Sequence, residues 1–155
     1  MPTAAEPADD AQRRPADVLG NAGASSADLI VLDASSLTSL LLDPTAGEHS
    51  VVPRARLLAP SLLPYEVTNV LRRLQATGRL ASRHATQAFS DLATLDIEFW
   101  DWALLAERVW ELRANLSSYD AAYVALAERT EALLVTRDAR LARAPGVGCE
   151  VKVFS

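Results

Sequence analysis

The chain predicts an α/β protein with a mostly parallel central sheet flanked by helices. Short apolar runs rich in β-branched or leucine residues alternate with stretches of helical periodicity, the pattern of βαβ units. The first such run, Leu29-Ile30-Val31-Leu32, is continuously apolar, as a strand buried on both faces must be. It ends at Asp33 and is followed at once by Leu37, Leu40 and Leu41, which share a helical face.

The elements follow in order. Residues 1–27 are rich in Ala, Pro, Asp, Gly and Ser, with only Met1, Val18 and Leu19 as large apolar residues. Such a segment cannot bury enough surface to offset its ordering entropy, so a disordered tail is expected, with the folded domain over 28–155. After the first strand, residues 35–42 read as a helix that stops before Pro44. Gly47 to Leu58 reads as a second helix interrupted by Pro53, with a short strand at Leu57–Ala59. Pro64 suits the first turn of a helix running to about Gly78, with Leu63, Val67, Val70, Leu71 and Leu74 as its apolar stripe. Residues 81–95 read as a further helix, Ile97–Trp100 as a strand, and Ala103–Arg113 as a helix with Leu104, Val109 and Leu112 inward. A long helix opens at Ser117 and runs through Glu128. Ala132–Thr136 is a buried strand, Asp138–Arg143 a short helix, and Val151–Phe154 a last strand.

Composition narrows the chemistry. The 155 residues suffice for one core, and half are hydrophobic, as in soluble globular proteins. The net charge of -5 argues against non-specific adhesion to nucleic acid. Lys152 is the only lysine; arginine supplies the remaining basic charge. One cysteine and two histidines leave no disulfide framework and give little support to a histidine-centred triad or a thiolate zinc site. The sequence offers neither a membrane-spanning apolar stretch nor a signal-peptide core, so a cytoplasmic protein is expected.

Four acids stand where helices begin: Asp33, Glu66, Asp120 and Asp138. Singly, each reads best as a helix cap or first-turn acid. Together they would meet at the carboxyl edge of a parallel sheet, where open α/β sheets build ligand sites. Ionised carboxylates gathered there repel unless a cation lies among them. An all-oxygen donor set points to Mg²⁺ or Mn²⁺. Ser35 and Thr136 place hydroxyls on the same edge. Asn69, three residues after Glu66, could hold its carboxylate in place. Arg72, Arg73 and Arg137 are candidates to bind substrate phosphates, although as surface arginines they read first as solvated.

The segments IVLDASSLTSLLL, APSLLPYEVTNVLRRL, LSSYDAAYVALAE and LLVTRDARLARA, in this order from residue 30 to residue 144, resemble PIN-domain ribonucleases, most closely the VapC toxins of bacterial toxin–antitoxin pairs. The resemblance implies a PIN-like three-layer sandwich. It places the family's acidic positions on Asp33, Glu66, Asp120 and Asp138, and its polar helpers on Ser35, Asn69 and Thr136. It also implies metal-dependent cleavage of single-stranded or looped RNA, a cognate antitoxin that blocks the cleft, and a homodimer, to whose interface Phe99, Trp100, Trp102 and Trp110 could contribute. The long tail departs from the family pattern. Two alternatives use similar residues. A phosphoacceptor signalling domain needs paired acids at the first strand, yet Asp33 is followed by Ala34; a dehalogenase-type phosphatase needs Asp-x-Asp, yet position 35 is serine. A binding module without catalysis would have no reason to gather acids that repel RNA.

Overall fold

The computed structural model describes residues 29–155; the expected tail lies outside the described residues. Five strands form one sheet in the order β3-β2-β1-β4-β5. They are β1 (Leu29–Leu32), β2 (Arg56–Pro60), β3 (Ile97–Trp100), β4 (Leu133–Thr136) and β5 (Val151–Val153). Every neighbouring pair is parallel, with Ile30 opposite Leu57 on one side and Leu133 on the other.

This order explains where a site can form. The chain steps from β1 outward to β2 and β3, then returns to place β4 on the other flank of β1. Right-handed crossovers therefore put α1 (Ala34–Leu42), α2 (Leu63–Ala76) and α3 (Ser82–Thr94) on one face. The return through α4 (Trp102–Glu111) and α5 (Ser118–Thr130) covers the other. A short α6 (Ala139–Ala142) follows β4. Between β1 and β4 the crossovers diverge, the position at which sheets of this kind form a crevice at the carboxyl ends of their strands. The central strands are buried on both faces, and Val31, Leu37, Leu63, Val67, Val124, Leu126 and Leu134 have essentially no exposed surface. Among the described residues no helix is long and apolar enough to cross a membrane.

Three expectations are corrected. Residues 47–58 do not form an α-helix: two 3₁₀ turns, Gly47–Ser50 and Val52–Arg54, lead into β2. Pro53, which lacks an N–H, fits the start of the second turn and could not continue an α-helix. In α4 the inward residues are Leu105 and Val109, with Leu112 buried just beyond its end, while Leu104 is exposed. Arg137 is not a free phosphate contact. Its guanidinium reaches Ser39 Oγ at 2.6 Å and both oxygens of Glu48 at 3.2 and 3.3 Å.

Glu48 is fully buried, so Arg137 supplies the charge that makes its burial tolerable. Gly47 keeps this turn close to the C-terminal segment, since a Cβ there would meet the Phe154 ring at 2.6 Å. Removing one partner of a buried pair leaves the other uncompensated. Arg137→Ala is expected to cost about 3–5 kcal/mol in urea unfolding. A loss under about 1 kcal/mol, the size of an exposed pair, would show that Glu48 does not depend on Arg137.

Candidate active site

Asp33 closes β1 and caps α1. Its Oδ1 accepts the Ser36 N–H at 2.8 Å and the Ser35 hydroxyl at 2.7 Å. Its Oδ2 accepts the Thr136 hydroxyl at 2.5 Å, across the gap between β1 and β4. Thr136 Oγ1 in turn accepts the Asp138 N–H at 2.9 Å, and Ser35 Oγ accepts the Arg137 N–H at 3.0 Å. Ser35 and Thr136 thus tie the turn after β4 to the first turn of α1, and the carboxylate is held at both oxygens. Oδ1 has used both lone pairs; Oδ2 keeps one. Burial raises the Asp33 carboxyl above the usual aspartate range. The bonds from Thr136, Ser36 and Ser35 pull it back, and the charge of Asp120 raises it further.

Glu66 lies in the first turn of α2 and Asp120 in the first turn of α5. Burial raises the half-buried Glu66 carboxyl, a hydrogen bond from Tyr123 lowers it, and the charges of Asp120 and Asp33 raise it again. Asp33 ends β1, Glu66 begins the helix after β2, and Tyr123, one turn on from Asp120, reaches Glu66, so the three acids, from three segments of the chain, stand at the same edge of the sheet. Asp120 also accepts from its own N-cap, Ser117 Oγ, at 2.8 Å.

Asp138 stands differently. It caps α6 and pairs with Arg140 through Nε at 3.1 Å and Nη2 at 2.8 Å. That pairing, first through its hydrogen bonds, holds the Asp138 carboxyl below the usual range. Asn69 is exposed and makes no hydrogen bond to Glu66 among the described residues, so the expected bracing of Glu66 by Asn69 is replaced by another. Tyr123 Oη donates to Glu66 Oε2 at 2.5 Å. The sequence carried one sign of it. Tyr123 is the only side chain with a hydroxyl on the buried stretch Ala121–Ala127, and a buried phenol needs an acceptor. Arg72 and Arg73 are exposed on α2.

The donor set suits a hard divalent ion in chemistry and in charge. It is all oxygen, and the Asp33 and Glu66 carboxyls are raised first by burial and then by the charge of Asp120, a cost that a cation offsets. In spacing, among the described residues, no three acids, cysteines or histidines stand close enough to hold an ion as placed.

Comparison with known proteins agrees with this architecture. Residues 30–147 match the family model described as PIN domain. A VapC ribonuclease of Mycobacterium bovis is 40% identical over 125 residues, 81% of this chain and 98% of that protein. Ribonuclease VapC1 of Mycobacterium tuberculosis is 37% identical over 132 residues, again 81% and 98%. Among solved structures, PAE2754 from Pyrobaculum aerophilum superposes with a TM-score of 0.55 at 27% identity, covering 82% of this chain and 85% of that one. VapBC2 from Rickettsia felis, bound to a promoter DNA fragment, matches in fold with a TM-score of 0.60 at 14% identity, covering 82% and 99%. The chain belongs to the PIN-domain family, among the VapC ribonucleases.

Proposed function

We propose that this protein is the toxin of a type II toxin–antitoxin pair, an endoribonuclease that depends on Mg²⁺ or Mn²⁺ and is held in check by a cognate antitoxin. The observation that carries this reading is the placement of Asp33, Glu66 and Asp120 at the carboxyl edge of the parallel sheet, with Asp33 tied to β4 by Thr136 and Glu66 held by Tyr123 of the helix that carries Asp120. The relatives of up to 40% identity, named as ribonucleases, support the same reaction for this chain. The antitoxin and a homodimer rest on the family resemblance. Exposed Phe99, Trp102 and Trp110 support the homodimer, since large apolar side chains on a surface favour a partner. The chain is expected to act in the cytoplasm.

Asp33, Glu66 and Asp120 would hold the ion, with Asp138 joining if Arg140 releases it. Bound there, the ion supplies Lewis-acid stabilisation of the phosphoryl oxygens and lowers the pKa of water beside the scissile phosphate. Asp33, clamped by Ser36, Ser35 and Thr136, fixes the reference point against which the other carboxylates are set. Ser117 orients Asp120. Arg72 and Arg73, on the helix that carries Glu66, would attract the flanking RNA backbone; Arg140 could exchange Asp138 for a phosphate oxygen.

Asp33→Asn is expected to reduce Mn²⁺-dependent cleavage of RNA to background while the fold persists; cutting that survives it and EDTA would place the activity elsewhere. Thr136→Val, which keeps shape but loses the donor, should weaken metal binding about 10–100-fold; unchanged binding would show that the clamp on Asp33 does not matter to the ion. Metal binding must also displace protons. Because Asp33 and Glu66 are raised, the ionised form is lost earlier as pH falls, so affinity should decline at a pH above the ordinary carboxylate range. A decline confined to the range of unperturbed carboxyls would contradict this.

A further inference from the structure

We propose that Tyr123 is the positioning residue for Glu66, holding one of its oxygens so that the other is presented to the divalent ion. This rests on the metal-dependent reading above and adds a residue to it. Tyr123 is 2% exposed, and its hydroxyl finds its acceptor 57 positions away in the chain, on a helix of the opposite layer. The bond takes Glu66 Oε2; among the described residues nothing donates to Oε1.

The placement follows from α5. Asp120 and Tyr123 are three residues apart and so share a helical face. Asp120, at the helix start, is exposed on the crevice; Tyr123, one turn deeper, is covered. Its hydroxyl therefore meets the carboxylates from beneath, and Glu66, Asp33 and Asp120 all act on it. Hydroxyls from Ser35 and Thr136 orient Asp33, that of Ser117 orients Asp120, and Tyr123 supplies one for Glu66. Thr136 does for Asp33 what Tyr123 does for Glu66. A residue that orients a ligand typically contributes 10–100-fold to metal affinity.

The test is Mn²⁺ binding by calorimetry, independent of RNA cleavage, on the full chain and on Tyr123→Phe, Glu66→Gln and the double variant. Tyr123→Phe should bind Mn²⁺ about 10–100-fold more weakly, and the double variant no more weakly than Glu66→Gln alone. Unchanged affinity in Tyr123→Phe overturns the assignment, and so do losses that multiply in the double variant, since Tyr123 would then act otherwise than through Glu66. Absence of Mn²⁺ binding by the unaltered chain overturns the metal reading together with this one, which separates the two failures. A second measurement needs no change at Tyr123. The ¹³Cζ resonance of Tyr123 should shift on Mg²⁺ addition, and Glu66→Gln should remove the shift. A resonance indifferent to Mg²⁺ overturns the proposal.

Discussion

The contact on which the site depends is the hydrogen bond from Thr136 to Asp33. It joins the ends of β1 and β4, adjacent strands whose residues here lie 103 positions apart. These are the strands between which the sheet changes its direction of growth, the position at which α/β sheets build ligand sites. A carboxylate at that point loses much of its solvation. Three donors offset part of the loss, and one lone pair on Oδ2 is left. The crevice thus contains a fixed, partly compensated negative charge before anything else is added.

The surrounding acids carry the consequence. Glu66 and Asp120 belong to helices in opposite layers; the charge of Asp120 makes ionisation of Asp33 and Glu66 less favourable, and that of Asp33 adds to the effect on Glu66. In the absence of a cation, the folded state gains by protonating Asp33 and Glu66: their raised values mean stability that is present in acid and lost as pH rises through them. A structure that accepts this cost at neutral pH is one in which the acids serve something other than stability. Asp138 shows the alternative. Paired with Arg140, it is content as an anion.

Much of this was legible in the sequence, and the reasons are local. β1 is an uninterrupted apolar run ended by an acid, and β3 is bounded by acids on both sides, so their limits could be read directly. The acids at the helix starts were visible because capping and first-turn chemistry mark those positions. What could not be read were partnerships over long separations. Nothing near Glu48 distinguishes a buried glutamate from a solvated one, and Arg137, 89 positions later, looked free for the same reason. Over residues 47–54, contact with Phe154 near the C-terminus and the missing N–H of Pro53 decide for 3₁₀ turns. Sequence spacing offers Glu66 only its helix neighbours, Asn69 among them; the partner in the structure comes from α5.

On this reading the carboxylates at the end of β1 form a seat for one hard cation. The most direct test is anomalous diffraction from crystals of the protein soaked in Mn²⁺. The account predicts a peak within ligating distance of Asp33, Glu66 and Asp120, with the two helix-borne acids drawn inward. Full Mn²⁺ occupancy elsewhere with that crevice empty, or no peak at all at millimolar Mn²⁺, would contradict it.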